Sequence, residues 1–140
     1  MIKIKLLSVG KTKEAWLDEA IAEYIKRLQG DISFEFVWAK DDAQLVALAQ
    51  KEPHLICLDA AGKAFTSEQF AHFLEDQWQR GGSRLTIVIG GAEGLPLQLK
   101  AKSVLVSLSP LTFTHQIARL ILIEQIYRTH EILRGSPYHK

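Results

Sequence analysis

An α/β fold with a mainly parallel sheet and helices on both faces is predicted by three features of the sequence. Short strand-like segments alternate five times with segments of helical period. Two of the strand-like runs, 55–58 and the β-branched 85–89, are almost wholly apolar, as strands covered on both faces are. Glycine, proline or a capping residue stands at most of the boundaries, so the order reads β-α-β-α-β-α-β-α-β-α.

Each element has its own signal. Ile2, Ile4 and Leu6 alternate with polar residues before an apolar stretch from Leu7 to Val9, a strand that starts half exposed and ends buried. Thr12 is placed to cap a helix in which Trp16, Leu17, Ala20, Ile21, Tyr24, Ile25 and Leu28 recur at three and four, with Gly30 as its stop. Ile32, Phe34, Phe36 and Trp38 alternate as a second strand. Asp41 caps a short helix carrying Leu45, Val46 and Leu48, closed by Pro53. The strand at 55–58 ends at Asp59, with 60–63 read as a loop. Thr66 and Gln69 form a capping-box pair for a helix lined by Phe70, Phe73, Leu74 and Trp78 and ending at Gly81 and Gly82. The β-branched run 85–89 is the central strand. A glycine-rich turn, a short helix near 96–100, a strand at 104–108 and a long helix over about 114–133 follow, with Gly135 as the stop. One domain spanning 1–140 is the simplest organisation at this length.

Composition narrows the function. Lys plus Arg total 17 against 16 Asp plus Glu, a net charge of +1. Bulk electrostatic capture of nucleic acid is therefore not expected, although nucleic acid as a substrate stays open. The single cysteine, Cys57, excludes an internal disulfide and suits a reducing cytoplasm. It lies in an apolar strand and reads as core. No run reaches membrane-spanning length, because 117–123 is broken by Arg119. Histidines at 54, 72, 115, 130 and 139 show no metal-ligand spacing, so no metal is expected.

Ligands of such sheets sit beyond the carboxyl ends of the strands. That rule selects the segments after Leu58, Ile89 and Leu108. Gly90, Gly91, Ala92, Glu93 and Gly94 lack both the dinucleotide and the P-loop spacing, and read either as a ligand-approaching backbone or as a turn needing positive φ. Residues 107–115 alternate apolar side chains with hydroxyls. This loop would suit an adenine held by backbone hydrogen bonds, or equally a partly buried connection with Thr114 as helix cap. Trp16, Trp38 and Trp78 read as core. Arg119 and Arg128 are about 180° apart on the last helix, and solvated arginines are the ordinary outcome there. Asp59 is placed either as a functional carboxylate or as a loop cap. The aromatic tail at 136–140 differs from an ordinary frayed end, although disorder is the usual state of a terminus.

Taken in order, these segments resemble a known family. Val9, Gly10 and Lys11, Leu58 and Asp59 with Gly62 and Lys63, the run 89–94, the loop 108–115, Glu124 to Arg128 and the terminal Pro137, Tyr138, His139 and Lys140 are similar to the small bacterial SPOUT methyltransferases of the ribosomal RNA large subunit methyltransferase H family. The resemblance covers nearly the whole chain. It implies a SPOUT-type fold with a C-terminal trefoil knot, a homodimer, and S-adenosylmethionine as cofactor. It implies methylation of N3 of a pseudouridine in helix 69 of 23S rRNA on the assembled 70S ribosome. It places Leu58, Gly90, Leu108, Ser109, Pro110, Leu111, Thr112 and Phe113 on the cofactor side. His115, Arg128, Tyr138 and His139 fall on the substrate side. Thr114 stands where the family usually has proline, and Lys140 where it commonly has arginine. Two other readings remain: a SPOUT enzyme acting on another RNA such as tRNA, and a non-catalytic nucleotide-binding module.

Overall fold

The computed structural model describes residues 1–10, 14–91, 93–101 and 103–140. Strands β1 (Ile2–Val9), β2 (Ile32–Ala39), β3 (Leu55–Ala64), β4 (Arg84–Ile89) and β5 (Val104–Ser107) alternate with helices α1 (Ala15–Arg27), α2 (Asp42–Ala49), α3 (Ser67–Arg80), α4 (Leu97–Lys100) and α5 (His115–Leu133). The strands form one sheet in the order β2-β1-β4-β3-β5, and every neighbouring pair is parallel. The β-branched β4 is central, as the sequence predicts.

Period-two alternation sorts the side chains into two cores. Ile4, Leu6, Ile56, Leu85, Ile87 and Ile89 pack against α1, α3 and α5. Leu7, Cys57 and Val88 face the other way, onto Leu45 and Ala49 of α2 and Leu99 of α4. Helices therefore cover both faces. Three expected caps are made: Asp41 accepts from the Gln44 amide at 2.8 Å, Thr66 and Gln69 complete a reciprocal capping box, and Thr114 accepts from the Ile117 amide at 3.3 Å. Thr12, the expected cap of α1, lies outside the described residues.

Four expectations are corrected. β3 does not stop at Leu58: after an excursion it returns, and both Leu58 and Lys63 pair with Val106 of β5. Trp16 is 58% exposed, because it stands about 100° round α1 from Leu17, which with Ile21 faces the core. Trp38 is only half-buried, on an edge strand. Among the described residues of the glycine turn, only Gly94 needs positive φ, at 86°. Gly90 is needed for room instead, since a Cβ there would lie 2.6 Å from the Gly94 carbonyl carbon.

The end of α5 makes a testable acid dependence. Buried Glu131 is bonded by Arg134 and accepts from the Tyr127 hydroxyl at 2.8 Å. These partners, Arg134 foremost, hold its pKa down at about 2. The unfolded chain thus binds the proton more readily, and the carboxylate's stabilisation is complete above its ordinary value of 4.5 and lost as pH falls toward 2. The Arg134 end is mostly exposed, so screening leaves roughly 1 kcal/mol. Glu131→Gln should be less stable than wild type in urea melts at about pH 6, with the gap closing near pH 3. A gap independent of pH contradicts this account.

Candidate active site

The three segments chosen from the sequence lie on or directly after β3, β4 and β5, which are parallel neighbours in the sheet. β5 is the edge strand and pairs with β3 alone. His115, which opens α5, sits against Gly10 at the end of β1: a Cβ on Gly10 would lie 3.1 Å from His115 Nε2. Residues 108–114 must therefore cross from β5 past the ends of β3 and β4, roughly 14 Å at the usual strand spacing. Leu58 pairs with Val106 of β5 and Gly90 directly follows β4, so both lie on the strands this path passes.

The loop is chemically open. Among the described residues, no backbone-to-backbone hydrogen bond involves residues 109–113. Its one internal tie is the Leu111 amide donating to Ser109 Oγ at 3.0 Å. Pro110 and Thr112 are exposed, Leu111 is 70% exposed, and Leu58, Leu108, Ser109 and Phe113 are half-buried. Beneath them the buried Ser107 hydroxyl has no hydrogen-bond partner among the described residues. Free backbone donors and acceptors beside apolar side chains fit an adenine nucleoside, whose edge needs hydrogen bonds and whose faces need apolar cover. Asp59 resolves as a loop cap. It accepts from the Ala61 amide at 2.9 Å and pairs with Lys100 at 3.2 Å, and the amide hydrogen bond, then Lys100, draws its pKa down. Cys57 is buried, donates to Ser103 Oγ at 3.2 Å, and burial pushes its thiol pKa up, as a core residue requires. Among the described residues, no group of three His, Cys, Asp or Glu side chains is arranged to hold a metal.

The four substrate-side candidates divide into two groups. His115 stands alone at the start of α5, where burial and the nearby Arg119 lower its pKa. Arg128, Tyr138 and His139 form a cluster further along the helix. Arg128 donates from Nε and Nη2 to Glu124, at 3.2 Å and 3.0 Å, and from Nη1 to His139 Nδ1 at 3.0 Å. The Tyr138 ring lies under the Arg128 guanidinium at 4.9 Å and edge-on to Tyr127 at 4.8 Å. His139 Nε2 lies 2.7 Å from Glu68. The tail is thus bound on α5 and α3, not loose. Because Arg128 Nη1 can only donate, His139 Nδ1 accepts and its proton sits on Nε2, facing Glu68. Thirteen residues separate His115 from Arg128, about 20 Å along a straight helix, so one chain does not join the two groups.

Known proteins match along the entire chain. A family model described as "Predicted SPOUT methyltransferase" matches residues 2–139. The chain belongs to the SPOUT methyltransferases. Within this family it is 63% identical to the ribosomal RNA large subunit methyltransferase H of Protochlamydia amoebophila over 140 residues, covering 100% of both chains. It is 43% identical to the protein of that name from Streptococcus thermophilus, over 99% of this chain and 100% of the other. That alignment spans 159 positions, so the streptococcal protein carries residues this SPOUT chain lacks. Among solved structures, TrmJ from Z. mobilis matches with a TM-score of 0.52, over 92% of this chain and 70% of the other. At 12% identity that match supports the SPOUT fold only.

One residue of this SPOUT site was misplaced by sequence reasoning. Arg119 is not solvated; it is 1% exposed. Its position shows why, since Arg119, Leu122, Ile123 and Ile126 follow the three-and-four spacing of the buried stripe. Arginine's usual preference for solvent masked that signal. No helix among the described residues is long and apolar enough to cross a membrane.

Proposed function

We propose that this SPOUT methyltransferase methylates large-subunit ribosomal RNA, with S-adenosylmethionine as donor, at N3 of a pseudouridine in helix 69 of 23S rRNA on the 70S ribosome. The full-length 63% identity to a ribosomal RNA large subunit methyltransferase H supports this reading most directly. Residues 1–140 act as a single SPOUT domain with the C-terminal knot of that fold, in the cytoplasm and as a homodimer. The dimer has a structural motive: the separation of His115 from Arg128, Tyr138 and His139 leaves each chain with half of the substrate-side set.

Leu58, Gly90, Leu108, Ser109, Pro110, Leu111, Thr112 and Phe113 hold the cofactor, through the unpaired backbone groups at 109–113 and the apolar side chains beside them. When bound, S-adenosylmethionine supplies an electrophilic methyl group on a sulfonium, which needs no metal. The imide N3 of pseudouridine is a poor nucleophile until its proton leaves. His115 takes that proton; burial, then the nearby Arg119 charge, lowers its pKa and so favours the neutral ring that can accept it. His139, with both ring nitrogens engaged, positions Arg128, whose charge stabilises the developing imide anion. Tyr138 supports the same guanidinium from below. With S-adenosylmethionine held by these residues, its methyl group would pass to N3 and the thioether would leave.

The test is transfer of labelled methyl groups to 70S ribosomes, to free 23S rRNA and to tRNA. A net charge of +1 gives little counterion-release affinity, so shape must select the substrate. Ribosomes should be labelled well and free rRNA poorly. Label in tRNA alone would favour the other SPOUT reading, and label in none would overturn the proposal.

A further inference from the structure

A buried arginine that the proposed chemistry does not use lies one helical turn from His115. Arg119 Nη2 donates to Ser8 Oγ at 2.9 Å and to the Gly10 carbonyl at 3.0 Å, and its guanidinium lies 4.4 Å from the Trp38 ring centroid. It thereby joins α5 to the ends of β1 and β2. Taking a guanidinium out of water costs several kcal/mol, so a residue in this position needs a compensating arrangement. Here burial pulls its pKa down to about 10.

The geometry of Gly10 gives that arrangement a use. Gly10 has φ of 80°, a conformation that glycine adopts readily. It is also close-packed on the imidazole, as the 3.1 Å separation of a built Cβ from His115 Nε2 shows. The carbonyl fixed by Arg119 therefore belongs to the same residue that forms one wall of the His115 ring. Residues four apart on a helix share a face, so His115 and Arg119 approach β1 side by side.

We propose that Arg119 is a positioning residue for His115: by clamping Ser8 and the Gly10 carbonyl it fixes the wall on which the imidazole rests. This rests on the proposed role of His115 as base. The charged groups facing this pair among the described residues are Glu14 beside the N-terminus of α1, which favours the imidazolium, and Asp18 one turn later, which acts on Arg119. Burial first, and then the Arg119 charge, outweigh Glu14 and lower the pKa of His115, so the arginine also opposes protonation of the ring it positions.

The experiment is an NMR titration of His115 in wild type, Arg119→Gln, Arg119→Lys and Ser8→Ala, beside the pH profile of methyl transfer to ribosomes. In Arg119→Gln the His115 midpoint should rise toward the free-histidine value, and the acid limb of kcat should move up with it. A misplaced base should lower kcat by about 100-fold, while calorimetric affinity for S-adenosylmethionine stays within about twofold, a difference of only ~0.4 kcal/mol. Arg119→Lys keeps the charge without the planar fork, and should hold the midpoint near wild type while recovering only part of the rate. An unmoved midpoint and acid limb in folded Arg119→Gln overturns the proposal, whatever the rate. Should that variant fail to fold, Ser8→Ala removes one clamp contact from outside the helix. It should shift the midpoint upward by less, and no shift there overturns the proposal equally. Wild-type turnover by His115→Ala would instead remove the reading of His115 as base, and the NMR comparison would still decide what Arg119 does.

Discussion

Alanine at position 62 is expected to destabilise the protein by about 3 kcal/mol, the upper end of the usual cost of overpacking. A Cβ on Gly62 would lie 2.7 Å from the Leu105 carbonyl carbon and the Val106 nitrogen, and 2.8 Å from the Leu105 oxygen. All three are backbone atoms of β5, so no side chain can rotate away. Nor can β5 retreat without loss, since Val106 is held by Leu58 on one side of the excursion in β3 and by Lys63 on the other. Gly30→Ala is the control. Its φ of 94° strains any other residue, but nothing lies within 4 Å of the new methyl, so roughly 1 to 2 kcal/mol is expected. Urea melts at one protein concentration, necessary if the protein dimerises, compare the two. Gly62→Ala within about 0.5 kcal/mol of wild type would show that β5 yields where the packing says it cannot.

That same region marks a limit of legibility in the sequence. Leu55 to Leu58 is visible as a strand because four apolar residues end at a polar one. The return of the chain at Lys63 and Ala64 has no such pattern, since exposed Ala60, Ala61 and Lys63 read as a loop and only the register with Val106 makes them strand. Gly62 therefore reads as a turn residue, although its real reason is the approach of another backbone. Elsewhere the patterns were sufficient. Asp41, Thr66 and Thr114 each cap the helix expected of them, because capping depends on neighbours two and three residues away. The sheet order needed more than local pattern, because it depends on which helix covers which face.

The site divides along the same line. The loops after Leu58, Ile89 and Leu108 could be chosen from strand ends alone, a rule of parallel sheets. The burial of Arg119 and the docking of the tail on Glu68 and Arg128 could not, because both are contacts between residues distant in the chain. Helical spacing did show that Arg119 and Arg128 lie on different faces. It gave no hint that Arg128 would be shared among Glu124, His139 and the Tyr138 ring, which fixes its orientation before any RNA arrives.

Mixing two inactive variants should restore activity. His115→Ala removes the proposed base, with an expected loss of about 100- to 10,000-fold. Arg128→Ala removes the charge proposed to face the imide anion, with an expected loss of about 100- to 1,000-fold. In the proposed chemistry both groups serve one pseudouridine, yet α5 holds them about 20 Å apart within a chain. A two-fold dimer resolves this if each site takes His115 from one protomer and Arg128, Tyr138 and His139 from its partner, because the symmetry makes the exchange reciprocal. A heterodimer of the two variants then contains one site with both residues intact and one with neither. Random exchange makes about half the dimers mixed, so about a quarter of all sites should be active. Methyl transfer to ribosomes should rise to that level after the variants are unfolded and refolded together, with native mass spectrometry confirming the mixed dimer. Activity that stays at the sum of the parents in a confirmed mixture would place both residues in sites of a single chain. The structure would then require α5 to bend or the tail to leave Glu68, and Glu68→Ala would be expected to raise, not lower, the rate.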